Sequence, residues 1–144
     1  MKSEVIRLGI QTDHDTQVID ITDRVKEAAR STGVQNGVCY ATTMHTTSGI
    51  MVNEGLPDVE DDIISMLQRT APELRDDHRH QRFLPSDGQM AVNSCSHQRS
   101  HLTGMQVAFP VQDGELVMGG RQTIYFAEFD GPLYREFIVH VIGV

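Results

Sequence analysis

The chain has 144 residues, 39% of them hydrophobic and 22% charged, a balance typical of one globular domain over residues 1–144 and unlike that of a disordered chain. Its net charge of −8 disfavours nucleic acid as a partner, because an acidic surface repels phosphate backbones. No apolar run reaches the roughly 20 residues that cross a bilayer, and the first eleven residues do not resemble a signal peptide, so we expect a cytoplasmic protein without a membrane partner.

The first third of the chain predicts three strands and a helix. The segment Glu4–Gln11 is rich in β-branched residues and alternates imperfectly, which indicates an edge strand. A short amphipathic helix is expected from Thr22, whose hydroxyl can cap it, to Gly33. Two further segments carry the Val, Ile, Thr and Tyr content of strands, and these are Gly37–Met44 and Ser48–Glu54.

A second helix and a long loop occupy the middle third. Pro57 suits the first turn of that helix, and the acidic residues that follow favour its positive N-terminal end. From Thr70 to Asn93 the hydrophobic residues follow neither helical nor strand periodicity, which predicts an extended loop. Structureless loops of that length are uncommon in compact domains unless they serve a site, so this one is a candidate for binding chemistry. A short helix is expected over Asn93–Thr103, ending at Gly104.

The last third predicts antiparallel strands. The expected strands are Met105–Val111, Glu115–Met118, Arg121–Phe129 and Leu133–Val144. The last two are expected to form a long hairpin around residues 130–132. Helices gathered early and strands gathered late favour an α+β architecture over a parallel βαβ sheet.

Histidines supply the first candidate chemistry, because five of the seven lie between His45 and His101. His45 stands in the segment Thr42–Ser48 among five hydroxyl side chains, which suits an anion or a metal-bound water, although threonine is also common in strands for packing reasons. Converging imidazoles would make a zinc-type site, yet a single histidine is more often an exposed surface residue. The second and third histidine groups are His78-Arg79-His80 and the segment Ser96–His101.

Several familiar sites are disfavoured. Gln98 follows His97, so the H-E-x-x-H pattern of zinc proteases is absent. The segment from Gly119 to Gln122 lacks the spacing of a dinucleotide fingerprint, and Gln122 by itself suits a solvent-facing strand position. Cys95 could join a metal's ligands, though a lone cysteine is more often a small buried hydrophobe. Glu54 could accept a proton or simply precede a turn.

An ordered set of short motifs resembles the YjbQ-like family across nearly the whole chain. The motifs are His45-Thr46-Thr47-Ser48, Asn53-Glu54, Asp62, Asn93 with Ser96-His97 and Gly104, Gly119-x-x-Gln122 and Glu128-x-Asp130-Gly131. The resemblance implies an antiparallel β-sandwich flanked by short helices and assembled as a homotrimer. It also implies a divalent metal ion, expected to be zinc, near a subunit boundary.

Residue by residue, the resemblance assigns the metal ligands to His45, His80 and His97, with His78 as an alternative to His80. It assigns catalytic roles to Glu54 and Gln122. The chain departs from the family pattern in having Arg121 where Trp is usual, Leu56 where Asp often precedes the proline, and Cys95 where some members have another histidine.

Members of that family carry the label secondary thiamine-phosphate synthase. The resemblance therefore implies a metal-dependent transferase that joins a pyrimidine diphosphate to a thiazole phosphate and releases pyrophosphate, with Arg99 or Arg121 as phosphate contacts. The alternatives are a non-catalytic module that binds a small anion or metabolite at a histidine metal site, and a resemblance of fold alone.

Overall fold

Two antiparallel sheets form the frame of the protein. A computed structural model describes residues 1–73, 78–80 and 92–144. In chain order these residues form β1 (Lys2–Gln11), β2 (Gln17–Asp20), α1 (Thr22–Ser31), β3 (Asn36–Thr43), β4 (Ser48–Glu54), α2 (Pro57–Thr70), α3 (Ser94–Thr103), β5 (Gln106–Gln112), β6 (Glu115–Leu116), β7 (Gln122–Glu128) and β8 (Tyr134–Gly143). The larger sheet has the strand order β1-β8-β3-β5-β6 and the smaller sheet the order β2-β7-β4. This confirms the predicted α+β class with mainly antiparallel strands and short flanking helices.

The core lies between the sheets, where their inward faces meet. Strand β8 alternates strictly, with Arg135, Phe137, Val139 and Val141 buried and the residues between them partly exposed. The Phe137 ring lies 6.0 Å from that of Phe126 on β7, which joins the two sheets. Helix α1 closes one side of this core with its predicted apolar stripe of Val25, Ala28 and Ala29.

The N-terminus of α1 is capped differently from the prediction. The helix begins at Thr22 as expected, and Gly33 follows its end with a φ of +69°. The Thr22 hydroxyl, however, accepts a hydrogen bond from the Ile124 N–H on β7, at 2.9 Å. Asp20 accepts the Thr22 N–H instead, also at 2.9 Å. Thr22 therefore fastens the helix to the smaller sheet rather than capping it.

The predicted hairpin between the last two strands is wrong. Strand β7 pairs with β2 and β4 in the smaller sheet, whereas β8 pairs with β1 and β3 in the larger one. The chain crosses between the layers at residues 129–133, so each strand obtains two neighbours and buries one face against the other sheet. The four-residue strand β2 was not predicted, because its polar sequence QVID is too short to show a period.

Helix α3 positions the site by lying across β4. The Ser100 hydroxyl on α3 donates to the Ser48 carbonyl at the start of β4, and the Ser96 hydroxyl donates to the Phe129 carbonyl at 2.6 Å. Most of the predicted loop between Thr70 and Asn93 lies outside the described residues. None of the helices in the described ranges is both long and apolar enough to span a bilayer.

Candidate histidine-lined site

Histidines from three distant chain segments line one cavity of about 730 Å³. His45 follows β3 at the turn into β4, His80 belongs to the described stretch 78–80, and His97 lies in the first turn of α3. The contact of α3 with β4 brings the last of these beside the first. The three histidines predicted as ligands therefore line one cavity, whereas the alternative His78 does not line it.

His45 is held by the main chain of β8. Its Nε2 accepts the Glu136 N–H at 2.9 Å. Burial lowers the pKa of His45, and the nearby positive charge of Arg135 lowers it further. The ring is therefore neutral, with its proton on Nδ1 and its only lone-pair nitrogen already occupied.

His80 and His97 pack against each other in the lining of the cavity. Their ring centroids are 5.2 Å apart and the rings are nearly perpendicular, at 87°. The Nε2 of His80 lies 3.1 Å from the Oδ1 of Asn93, whose Nδ2 donates to Asp130 at 2.7 Å. Because the carboxylate can only accept, the amide oxygen faces His80 and the Nε2 of His80 is the donor. Asp130 and Asn93 thus orient this ring.

A divalent ion fits this arrangement in part. Two imidazoles on one zinc ion, each about 2 Å from the metal through nitrogen, have ring centroids about 5 Å apart, which matches the His80–His97 pair. His45 would join only if its ring turned away from the Glu136 N–H. Within residues 1–73, 78–80 and 92–144, no three His, Cys, Asp or Glu side chains are placed to hold an ion together.

A buried ion pair supports the floor of the cavity. Glu128 is fully buried and Arg135 is 4% exposed. The arginine donates from Nε and Nη2 to the Glu128 carboxylate, which also accepts from Thr12 and from the Asp130 N–H. Burial alone would raise the pKa of Glu128, but these hydrogen bonds outweigh it and hold that pKa below its ordinary value. The pair is therefore ionised, and Arg135 lines the cavity as a cation.

Glu54 and Gln122 are not brought to this cavity. They face each other across β4 and β7, at the end of the smaller sheet away from His45. A strand rises about 3.3 Å per residue, so Glu54 lies about 20 Å along β4 from Ser48. Glu54 accepts from Arg121 at 3.0 Å, and the Gln122 side chain accepts the Gly119 N–H at 2.7 Å.

The remaining candidates have other surroundings. His78 and Cys95 line a separate cavity of about 160 Å³. Arg99 is buried, and its Nε donates to the Ala71 carbonyl at the end of α2, so the expected phosphate contact at Arg99 is not among the residues that line the histidine cavity.

Sequence reasoning missed the role of Arg135. The only local signal for it is an arginine at an inward position of an otherwise apolar strand, in register with Phe137 and Val139. A charged residue at such a position is rarely buried without a partner.

Comparison with known proteins agrees with this fold. A family model described as "UPF0047 protein YjbQ-like" matches residues 6–144. The chain is 36% identical over 140 residues to a UPF0047 protein of Methanocaldococcus jannaschii, with 96% of this chain and 94% of that protein covered. It is 33% identical over 137 residues to the UPF0047 protein YugU of Bacillus subtilis, with 94% and 97% covered.

Solved structures are similar over the same length. A YbjQ-like protein of unknown function from Sulfolobus solfataricus superposes with a TM-score of 0.88 at 27% identity, covering 99% of each chain. An uncharacterised yjbq/upf0047 protein from Clostridium acetobutylicum superposes with a TM-score of 0.84 at 36% identity, covering 95% of this chain and 99% of that one.

Proposed function

The chain belongs to the YjbQ-like UPF0047 family, and from that premise we propose that its histidine-lined cavity binds a small molecule together with a divalent metal ion. The observation that carries this proposal is the meeting of His45, His80 and His97, from three distant segments, around one space. A volume of about 730 Å³ lies within the range of cavities that hold metabolites. Asp130 also lines the cavity, and its negative charge favours the binding of a cation.

His80 and His97 are the residues that would hold the ion, with zinc as the expected metal. Imidazole is a good ligand for zinc, and Asn93 orients His80 in the way that outer hydrogen bonds commonly orient a metal ligand. His45 would supply a third nitrogen after its ring leaves the Glu136 N–H. The ion would contribute positive charge that neutralises an anionic substrate or polarises a bound oxygen.

Zinc content tests this assignment. We expect the purified protein, supplied with zinc and then desalted, to retain the metal, and a His80→Ala/His97→Ala variant to lose at least about 10-fold in affinity because both nitrogen ligands are gone. The measurement is elemental analysis combined with competition against a chromophoric chelator. The matched control is His14→Ala, since His14 is exposed and lies outside the cavity. Equal zinc in the double variant and the wild type would contradict the proposal.

A homotrimer is part of the same proposal. The outward face of the larger sheet carries the cross-strand neighbours Val38 and Ile142, with Val5 and Tyr40 beside His140. Val5 is 60% exposed and Val38 is 36% exposed. A contiguous exposed apolar patch on a sheet face is a common feature of surfaces that contact another chain. Neighbouring copies would also offer a route by which Glu54 and Gln122 could reach a histidine cavity, since the cavity of their own chain is about 20 Å away.

Thiamine phosphate formation tests the catalytic form of the proposal. If the activity implied by the family resemblance is native, the zinc-loaded protein should join the pyrimidine diphosphate to the thiazole phosphate. Glu54→Gln should slow it by at least about 100-fold, the lower end of the contribution typical of general acid–base groups, and His97→Ala should slow it by a similar factor through loss of a metal ligand. Product is measured by chromatography.

Mixing the two variant chains tests whether Glu54 and His97 contribute to one site from different subunits. If Glu54 acts across a subunit boundary, a refolded mixture of the Glu54→Gln and His97→Ala chains should regain activity, because some sites then combine an intact Glu54 with an intact His97. No product from the wild type would favour the alternative, a non-catalytic module that binds a small anion or metabolite. The distance of Glu54 from the cavity within one chain is the observation that favours this alternative.

A further inference from the structure

We infer that Arg135, with the hydroxyl groups of Thr46 and Thr47, forms an oxyanion-binding end of the histidine-lined cavity, where the phosphate or carboxylate group of a small molecule is held. This inference rests on the proposed function only in taking the cavity as a ligand site. It does not require a metal ion. It adds the chemical class of the bound group and a residue whose role the family motifs do not indicate.

The guanidinium of Arg135 has donors left over in the described part of the chain. Its Nε and Nη2 are engaged with Glu128, and Nη2 also donates to the Thr47 hydroxyl at 2.8 Å. Nη1 makes no hydrogen bond to any residue within the described ranges, although Arg135 is only 4% exposed and lines the cavity. Thr103 Oγ1 is the one buried side-chain polar atom of the described residues that lacks a partner, so Nη1 of Arg135 is itself not fully buried. A ligand in the cavity can therefore reach this donor and accept from it.

Thr47 adds a second donor through the direction of its hydroxyl proton. Because its Oγ1 accepts from Arg135, the hydroxyl proton of Thr47 must point away from the guanidinium. Thr47 is 6% exposed, and both Thr47 and the exposed Thr46 line the same cavity. A guanidinium edge with threonine hydroxyl groups in the same lining is the kind of donor set that binds a phosphate or carboxylate oxygen.

The lining of the cavity carries both hydrogen-bond donors and a carboxylate. Arg135 and Thr47 supply donors to the cavity, whereas Asp130, which accepts from Asn93, supplies a carboxylate. The buried carboxylate of Glu128 balances the charge of Arg135, so the fixed donor geometry and not a net positive charge would provide selectivity. An anionic group would accept from the Arg135 and Thr47 donors, whereas the Asp130 carboxylate would repel it.

Titration with inorganic phosphate tests this inference on the full chain, first stripped of metal with a chelator and then loaded with zinc. The informative variant is Arg135→Met/Glu128→Gln, which removes the guanidinium without leaving an unpaired buried carboxylate. We expect its phosphate affinity, measured by calorimetry, to fall about 10- to 100-fold in both metal states, the effect of losing charge-assisted hydrogen bonds. Arg30→Met is the matched control, because Arg30 pairs with Glu115 on the surface and does not line the cavity, and it should leave phosphate affinity unchanged.

A parallel titration with acetate distinguishes a phosphate site from a carboxylate site, and tighter binding of either anion that depends on Arg135 supports the inference. If the double variant does not fold, Thr47→Val replaces it, with an expected loss of about 3- to 10-fold for one neutral hydrogen bond. Unchanged phosphate affinity in a folded variant, or no binding of either anion by the wild type, overturns the inference.

The metal proposal fails separately. If His80→Ala/His97→Ala retains zinc while the Arg135 variant loses phosphate, the metal site is wrong and the oxyanion end stands. If the histidine variant loses zinc while the Arg135 variant keeps the phosphate affinity of the wild type, the oxyanion end is wrong and the metal site stands.

Discussion

Arg135→Ala is expected to lower the free energy of unfolding by about 3–5 kcal/mol, because it leaves the fully buried carboxylate of Glu128 without its cation. It also removes the donor to Thr47, which is one of the hydrogen bonds between β8 and the turn that carries His45. The loss is measured by urea unfolding at neutral pH.

Two control variants and a pH series test whether the loss of the buried ion pair causes this loss of stability. Arg7→Ala breaks an exposed pair with Glu136 and should cost no more than about 1 kcal/mol. Arg135→Met/Glu128→Gln should cost less than Arg135→Ala, because no buried charge is left over. The folded-state pKa of Glu128 lies below its ordinary value, so the stability from the pair is present at neutral pH and is lost as the pH falls through that lowered value. A deficit in Arg135→Ala no larger than that of Arg7→Ala would show that the pair is not what stabilises the floor of the cavity.

Phe137→Ala is expected to have a similar effect on stability, about 3–5 kcal/mol, through packing instead of charge. The Phe137 side chain is completely buried, its ring lies 6.0 Å from that of Phe126, and the Arg24 guanidinium lies 5.3 Å above it. Its removal leaves a cavity where the two sheets meet, which surrounding strands can fill only in part. Urea unfolding measures the loss.

The matched control for Phe137 is Met66→Ala on α2. Met66 is 44% exposed, so its truncation should change stability by less than about 0.5 kcal/mol. If Phe137→Ala unfolded at the same urea concentration as Met66→Ala, the two sheets would not be held together by this contact. A zinc measurement on folded Phe137→Ala then separates stability from binding, since Phe137 does not line the histidine cavity.

Local patterns predicted the helices well. The apolar spacing of Val25, Ala28 and Ala29 specified the buried stripe of α1, and Gly33 marked its end. Pro57 and the acidic residues after it marked the start of α2. These signals are reliable because caps, proline and helical periodicity act over a few residues and need no distant partner.

Patterns of the same kind did not specify the partners of the strands. The apolar runs of β7 and β8 gave the bounds of both strands to within one residue. The two strands were nevertheless assigned to one hairpin, whereas they lie in different sheets. A strand sequence determines which face is buried, not which neighbour it pairs with. The pairing follows from the packing of the whole core.

The sequence by itself determined the family, the class of fold and the three histidines whose convergence makes a candidate site. Only the tertiary structure decided that His80 and not His78 faces that cavity, that Arg135 supplies its cationic floor, and that Glu54 lies about 20 Å away along β4. The physical reason is that residue type and spacing report local conformation. Which side chains share a cavity depends on strand pairing and helix docking between segments that are far apart in the chain.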